Sequence, residues 1–269
     1  MNSSITVLEW LESSARTLGQ ANIETPRLDS LILLEDCLKL NRANILAHSE
    51  RTLTTTQLKR LNIALNRRLN HEPLAYIRGV SEFYGRRFFV SKSVLIPRPE
   101  SETVISELLS LSLPKHPIIA DIGTGSGVLG ITAALELPYA KVDLYDVSQR
   151  ALKVAQRNSD FYNLKLNTIR SDLLIGLKRK ADVLLVNLPY VPLSYPVNSA
   201  TKYEPRLSLY AGKDGLDSYR RFWRQLADIK ASPLVLTECL PFQHDLQKQL
   251  AAKVGFSQIA SNDFIQAFR

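Results

Sequence analysis

Several short segments carry residue types and spacings that could do chemistry. Asp121-Ile122-Gly123-Thr124-Gly125-Ser126-Gly127 directly follows an apolar run and opens a helical pattern. Glycines at such a turn let the backbone fold tightly and approach a ligand. The same letters place Gly125, Gly127 and Gly130 in a G-x-G-x-x-G arrangement, so a dinucleotide-binding loop competes with other ligand loops and with a ligand-free turn. Asp146 ends the next strand-like run, about 20 residues further on. A carboxylate there can accept both hydroxyls of an adenosine ribose, in NAD and in S-adenosylmethionine alike. It could equally cap the helix that starts near Ser148. After a third strand come Ser171, Asp172 and Leu173. Asp172 can reach the exocyclic amine of adenine and Leu173 can face the base, or Asp172 is a turn or cap residue.

Asn187-Leu188-Pro189-Tyr190, after the apolar run Val183–Val186, separates these readings. A dinucleotide dehydrogenase has no use for it at a strand end. An enzyme that methylates a planar amino group does. The Asn187 side-chain oxygen can accept one hydrogen of the target NH2 and the Leu188 carbonyl the other, while Tyr190 lies on the flat face of the group. Two acceptors aim the nitrogen and stabilise the positive charge that grows on it. No strong base is needed, because the proton becomes acidic after transfer. The plain alternative is a proline-containing turn.

These residues need a scaffold that lines up strand ends. Roughly 101–112 reads as a helix, 117–120 as an apolar strand, 127–137 as a helix, 141–145 as a strand and 148–159 as a helix. Strands near 167–170 and 181–187, a helix at about 215–229, a strand at 233–238, a helix at about 243–253 and short closing strands follow. This alternation predicts an α/β fold with a doubly wound, mostly parallel sheet. Residues before it differ. Val7, Leu8, Leu11, Ala15 and Leu18 recur at helical spacing, Thr25-Pro26 looks like an N-cap with proline in the first turn, and Leu58, Leu61, Leu65 and Leu69 mark a further helix that stops near Glu72-Pro73. Between the two regions, aromatic and β-branched residues surround Gly85-Arg86 and predict a hairpin. The expected division is a helical domain over 1–78, a β-hairpin linker over 79–98 and an α/β domain over 99–269.

Composition narrows the classes. With 269 residues, 45% hydrophobic and 22% charged, the chain can build a core and is not a disordered type. Its net charge of +8 suits work near nucleic acid or an acidic partner, or serves solubility alone. Cys37 and Cys239 lie far apart in apolar settings and read as core thiols. His48, His71, His116 and His244 are scattered, so no metal site is expected. No apolar run reaches transmembrane length. Glu9, Glu12 and Glu24 against Arg16 near the N-terminus argue against a secretory or mitochondrial leader, leaving a cytoplasmic location by default.

Taken together, the motifs resemble those of the release-factor glutamine methyltransferases, the PrmC/HemK family. The resemblance covers nearly the whole chain. Asp121–Gly127 matches the family's cofactor loop, and Asp146 with Ala151, Leu152 and Asn158 matches the segment after it. Glu72–Ile77, Glu82–Gly85 and Leu95-Ile96-Pro97-Arg98-Pro99-Glu100 resemble its linker and pre-core signature. Tyr203-Glu204-Pro205-Arg206 and Gly212–Leu216 resemble the segment after its catalytic loop. The resemblance implies a Rossmann-like class I methyltransferase sheet, S-adenosylmethionine as methyl donor with S-adenosylhomocysteine as product, and class I peptide chain release factors as partners. The target it implies is the glutamine of a Gly-Gly-Gln motif, so that methylation tunes translation termination. Cofactor contacts are then expected at Asp121, Gly123, Thr124, Gly125, Ser126, Gly127, Asp146, Asp172, Leu173 and Asn187. Asn187, Leu188, Pro189 and Tyr190 are expected to hold the glutamine, with Arg98 and Glu100 at the entrance or merely in a surface ion pair.

The sequence departs from the family at two places. The catalytic loop usually reads Asn-Pro-Pro-Tyr, and Leu188 stands at its second position. That form is typical of ribosomal RNA adenine dimethyltransferases, so an adenine-amine methyltransferase acting on RNA or DNA is the first alternative. A non-catalytic module that keeps the cofactor fold is the second. In Glu238-Cys-Leu-Pro-Phe-Gln243 the family's glutamate and glutamine persist while its glycine is replaced, and Glu238 reads as a sheet-edge residue without an assigned role.

Overall fold

The computed structural model describes residues 5–229 and 231–269. They form two compact units. One runs up to Gly79 and includes Asn198–Tyr203; the other comprises Val80–Val197 and Glu204–Arg269.

The first unit contains α1 (Val7–Gln20), α2 (Pro26–Leu38), α3 (Arg42–Ala47), α4 (Thr55–Leu69) and α5 (Leu74–Arg78). Capping boxes start α1 and α4: Thr6 with Glu9, and Thr54 with Gln57, each satisfy the other's backbone N–H. Thr25 stands at the N-cap of α2 with Pro26 in the first turn, as the sequence predicts, but its side chain makes no capping bond. Its hydroxyl instead donates to Asp29 Oδ1 (2.8 Å). Asp29 is buried and also takes Arg68 Nε at 2.6 Å, so the demand of a buried carboxylate outweighs that of a helix end. Trp10, Leu11, Leu34, Ile45 and Leu61 form the core beneath.

The second unit opens with a hairpin, β1 (Val80–Phe83) and β2 (Arg86–Phe89). Tyr84 and Gly85 both have positive φ, the geometry that tight two-residue hairpins require. Then follow α6 (Glu102–Ser110), β3 (Ile118–Ile122), α7 (Val128–Glu136), β4 (Lys141–Asp146), α8 (Gln149–Phe161), β5 (Asn167–Arg170) and β6 (Val183–Val186). After a long loop come α9 (Asp217–Asp228), β7 (Leu234–Glu238), α10 (His244–Ala252), β8 (Gln258–Asn262) and β9 (Ile265–Phe268). The sheet order is β5-β4-β3-β6-β7-β9-β8. Strands β3 to β7 pair in parallel, and β9 runs antiparallel to β7 and to β8. This is the doubly wound, mostly parallel sheet that the alternation predicted, in the Rossmann-like class I methyltransferase form that the family resemblance implied.

Alternate residues of the central strands feed opposite faces. Leu185 joins Phe83, Phe88, Ile105 and Leu144 on one side, and Leu184 joins Tyr145, Phe222 and Trp223 on the other. The chain leaves β3 toward β4 on one side and returns through β6 on the other. The crevice at the carboxyl ends of β3 and β6 is therefore a topological switch point, where open α/β sheets bind ligands. The glycine loop follows β3 and Asn187 follows β6, so both lie at that crevice.

The hairpin is packed into the second unit, not held apart from it. Asn158 on α8, fully buried, accepts the Phe89 N–H (2.7 Å) and donates to the carbonyls of Phe89 (2.9 Å) and Ser126 (2.8 Å). One side chain thus joins the hairpin, α8 and the glycine loop. Replacing it by alanine would strand several buried polar groups. Asn158→Ala is expected to lower stability by about 2–4 kcal/mol in urea unfolding, well beyond the effect of an exposed substitution.

Candidate active site

The glycine loop is held from below by a buried acid. Asp121 is the penultimate residue of β3 and is 1% exposed; its Oδ2 accepts from the Thr124 hydroxyl (2.6 Å) and the Gly130 N–H (2.9 Å). The N–H groups of Gly123 and Thr124 both donate to the Tyr145 carbonyl on β4. Gly123 and Gly125 have positive φ, and both line a cavity of about 220 Å³ at the switch point. A single water needs only about 10–15 Å³, so the space is of ligand size. Gly127 and Gly130 answer to packing instead. A Cβ on Gly127 would sit 2.7 Å from Ile131 Cδ1, and one on Gly130 only 2.3 Å from Leu144 Cδ2. Gly127, expected at the cofactor, is the αL cap of α7 and does not line the cavity.

Asp146 lines the cavity at the end of β4. Its Oδ2 accepts from Gly125 N–H (3.0 Å) and its Oδ1 from Ser148 N–H (2.8 Å). Burial pushes its pKa up. The cap of α8 is Ser148, whose hydroxyl accepts the Ala151 N–H, so Asp146 is not that cap. Asp172 and Leu173 also line the cavity. Asp172 is paired with Arg221 of α9, a partner that nothing in the linear pattern indicated. Leu173 is held at φ 54° by Ser171, whose hydroxyl donates to the Leu173 carbonyl and accepts the Gly176 N–H. That conformation costs a β-carbon-bearing residue about 1–2 kcal/mol, and it sets an apolar side chain at the cavity wall.

Across the crevice stand Asn187, Leu188 and Pro189, all on the cavity wall. Asn187 Nδ2 donates to Glu238 Oε2 (2.9 Å) and to Ser101 Oγ (3.1 Å). Both amide hydrogens are thereby used, and Oδ1 is the atom left to accept. Leu188 reaches the glycine loop: a Cβ on Gly123 would lie 3.1 Å from Leu188 Cδ2 and 3.7 Å from the Asn187 carbonyl. Tyr190 was expected on the flat face of the substrate amide. It does not line the cavity, and its hydroxyl donates to Glu238 Oε1 (2.8 Å). Burial, then the adjacent Glu238 carboxylate, push the phenol's pKa up, so it remains a donor. The Tyr190 carbonyl is gripped by Gln243 Nε2 (2.8 Å), which also holds the Asp214 carbonyl (2.7 Å). Gly215 lies so close that a Cβ there would be 2.0 Å from the Tyr190 carbonyl oxygen.

Comparison with known proteins now adds to this geometry. Residues 9–79 match the PrmC N-terminal domain, and residues 103–196 match the methyltransferase small domain. The chain is similar to a release factor glutamine methyltransferase of Coxiella burnetii, 40% identical over 201 residues that span 73% of this chain and 72% of that protein. Similarity to the Moorella thermoacetica release factor glutamine methyltransferase is 35% over 258 residues, spanning 93% and 91% of the two chains. The chain belongs to the release factor glutamine methyltransferase family. A Pyrococcus furiosus methyltransferase structure shares the fold, with TM-score 0.51 at 17% identity over 80% of this chain and 97% of that one.

Two of the segments on which the family resemblance was drawn meet one another. Arg98, on the cavity wall, pairs with Glu204 (2.6 Å), and the Ile96 N–H donates to the same carboxylate (3.1 Å). Arg98 and Glu100 were expected at the entrance or in a surface ion pair; Arg98 lines the cavity but pairs with the buried Glu204, which needs a cation, while Glu100 is exposed and off the cavity wall. The first proline of the family's Asn-Pro-Pro-Tyr loop is replaced by Leu188, whose N–H makes a long bond (3.4 Å) to the Tyr219 hydroxyl, a bond proline lacks the hydrogen to make. Sequence reasoning missed Glu238, Ser101, Gln243 and Tyr219 because each acts through a neighbour distant in the chain. The family's retained glutamate and glutamine were the available signal. Among the described residues no cluster of metal-ligating side chains occurs, and no helix is long and apolar enough to cross a membrane.

Asp121 yields a pH prediction. Burial is the main cause that raises its pKa from 3.8 to about 6, against the lowering bonds from Thr124 and Gly130. The fold thus favours the protonated acid. Its stabilising effect is complete below the unfolded pKa near 4 and is lost as pH rises through about 6. Thermal or urea unfolding should show wild type losing up to about 3 kcal/mol relative to Asp121→Asn between pH 4 and 7.

Proposed function

We propose that the chain transfers a methyl group from S-adenosylmethionine to the side-chain amide nitrogen of the glutamine in the Gly-Gly-Gln motif of class I peptide chain release factors, and so tunes translation termination. Its relatives are named for this activity. The observation that carries the reading is the polarity of Asn187, whose Nδ2 is committed to Glu238 and Ser101 while Oδ1 is free on the wall of the crevice.

The residues fit the cofactor. Gly123 and Gly125 allow the backbone to approach it, Asp146 offers lone pairs to ribose hydroxyls, and Leu173 offers an apolar surface to adenine. Asp121, Thr124 and Ser126 hold the loop in shape. Asp172 has an oxygen left for the adenine amine beside its pairing with Arg221. When bound, S-adenosylmethionine supplies an electrophilic methyl group on a sulfonium centre.

The acceptor side is the work of Asn187 to Tyr190. Asn187 Oδ1 and the Leu188 carbonyl accept the two hydrogens of the target amide, which fixes the nitrogen's direction. Both oxygens carry partial negative charge close to the nitrogen on which positive charge develops. Pro189 stiffens the turn, and Tyr190 anchors the loop through its hydroxyl, taking part in positioning more than in stacking. The helical unit and the hairpin engage the release factor, with Arg98 at the entrance. Such a partner places the protein in the cytoplasm, and nucleic acid is not required.

Purified enzyme, labelled cofactor and a class I release factor test the reading. Mass spectrometry should find one methyl on the Gly-Gly-Gln glutamine and none on ribosomal RNA supplied in its place; methylation of RNA alone would overturn it. Asn187→Ala should lower kcat by about 10²–10³-fold while calorimetry still detects cofactor binding.

A further inference from the structure

The buried acid at the end of β7 has no place in the chemistry above, yet the side chains of both Asn187 and Tyr190 bond to it. Glu238 is 1% exposed. It accepts from Asn187 Nδ2 through Oε2 and from the Tyr190 hydroxyl through Oε1, and the Ser101 hydroxyl also bonds to it. An asparagine amide is nearly symmetric in shape, so packing alone does not decide which end faces the substrate. Only its hydrogen-bond partners do. An ionised carboxylate can accept and cannot donate. It therefore forbids the arrangement in which Asn187 turns its oxygen inward and its NH2 toward the crevice.

We propose that Glu238 is the positioning residue that fixes the amide polarity of Asn187, so that the acceptor site presents an oxygen and never an NH2 to the incoming amide. An NH2 there would meet the substrate's own NH2, donor against donor, and the target nitrogen would lose its aim.

Replacing Glu238 by glutamine keeps the shape and reverses half of the polarity. Its single oxygen can serve Asn187 or Tyr190, not both. Among the described residues the Tyr190 hydroxyl has Glu238 as its one acceptor, whereas Asn187 Nδ2 has Ser101 as well. The glutamine oxygen therefore goes to Tyr190 and its NH2 turns to position 187. Asn187 must then flip to accept it and presents NH2 to the crevice. An aspartate at 187 would restore an outward acceptor, since one carboxylate oxygen takes the glutamine's NH2 and the other faces the substrate.

This inference rests on the function proposed above. The experiment compares wild type, Glu238→Gln, Asn187→Asp and the double variant with one release factor, following kcat and KM and checking cofactor binding by calorimetry. Glu238→Gln is expected to lose at least about tenfold in kcat, with cofactor affinity unchanged. The double variant is expected to turn over at least about tenfold faster than Glu238→Gln. A structural role alone would not produce that rescue, because a second substitution would only add damage. A smaller loss in Glu238→Gln, a loss of its cofactor binding, or a double variant no faster than Glu238→Gln would each overturn the inference. A wild-type enzyme inert on the release factor would instead sink the underlying function, so the two failures are distinguishable.

Discussion

A carboxylate removed from water must collect hydrogen-bond donors, and that demand at Glu238 arranges the acceptor side of the crevice. The donors come from separate stretches of chain: Asn187 and Tyr190 after β6, and Ser101 just before α6. Each is drawn to one point at the end of β7. An apolar residue there could fill the same space, but it would impose no direction on an amide. Polarity is the property the loop needs, and a buried acid supplies it at the cost of desolvation, visible in the raised pKa of Glu238.

The same physics recurs along the edge of the sheet. Asp121 is one residue from the end of β3, Asp146 ends β4 and Glu238 ends β7. Each acid takes donors from the segments that follow its own or a neighbouring strand: Thr124 in the glycine loop and Gly130 in the first turn of α7 for Asp121, Gly125 and Ser148 for Asp146. A loop on a sheet edge otherwise moves with its own fluctuations. Bonds to a fixed carboxylate shorten its reach and hold its N–H and carbonyl groups in place. Gln243 does for the Tyr190 carbonyl what these acids do for N–H groups. The two walls of the crevice are thus set independently and meet where Leu188 approaches Gly123.

What was legible in the sequence follows from range. The alternation of strands and helices depends on local periodicity, and every strand of the parallel sheet lies within a few residues of its expected span. The glycine loop and the Asn187 segment are contiguous, so their chemistry could be read directly. Thr25 takes the N-cap position its sequence indicated, but its hydroxyl bonds to Asp29, whose partner Arg68 lies 39 positions away, and that was not legible. Arg98 was matched to a neighbour in sequence when its partner, Glu204, lies 106 residues away. Gly127 fits a ligand pattern by spacing but answers to the side chains of Ile131 and Ala155, which no spacing rule contains. Tyr190 was placed on the substrate because its ring is flat; the burial of its hydroxyl against Glu238 was invisible without the fold.

Leu188 shows how such a loop tolerates a departure from its family's pattern. The chemistry asks only for a carbonyl at that position, which any residue provides. A proline would also restrict φ and remove an N–H that otherwise needs a partner. Leucine keeps the N–H, and here it points to the Tyr219 hydroxyl. That hydroxyl lies 2.6 Å from the Glu238 carbonyl and 3.0 Å from that of Val186, so its single hydrogen goes mainly to Glu238. Tyr219 therefore ties the ends of β6 and β7 together and gives the Leu188 N–H an acceptor in a buried setting. The constraint that proline exerts through its ring is replaced by burial of the leucine side chain against Gly123 and by this bond, and the carbonyl stays where the amide must meet it.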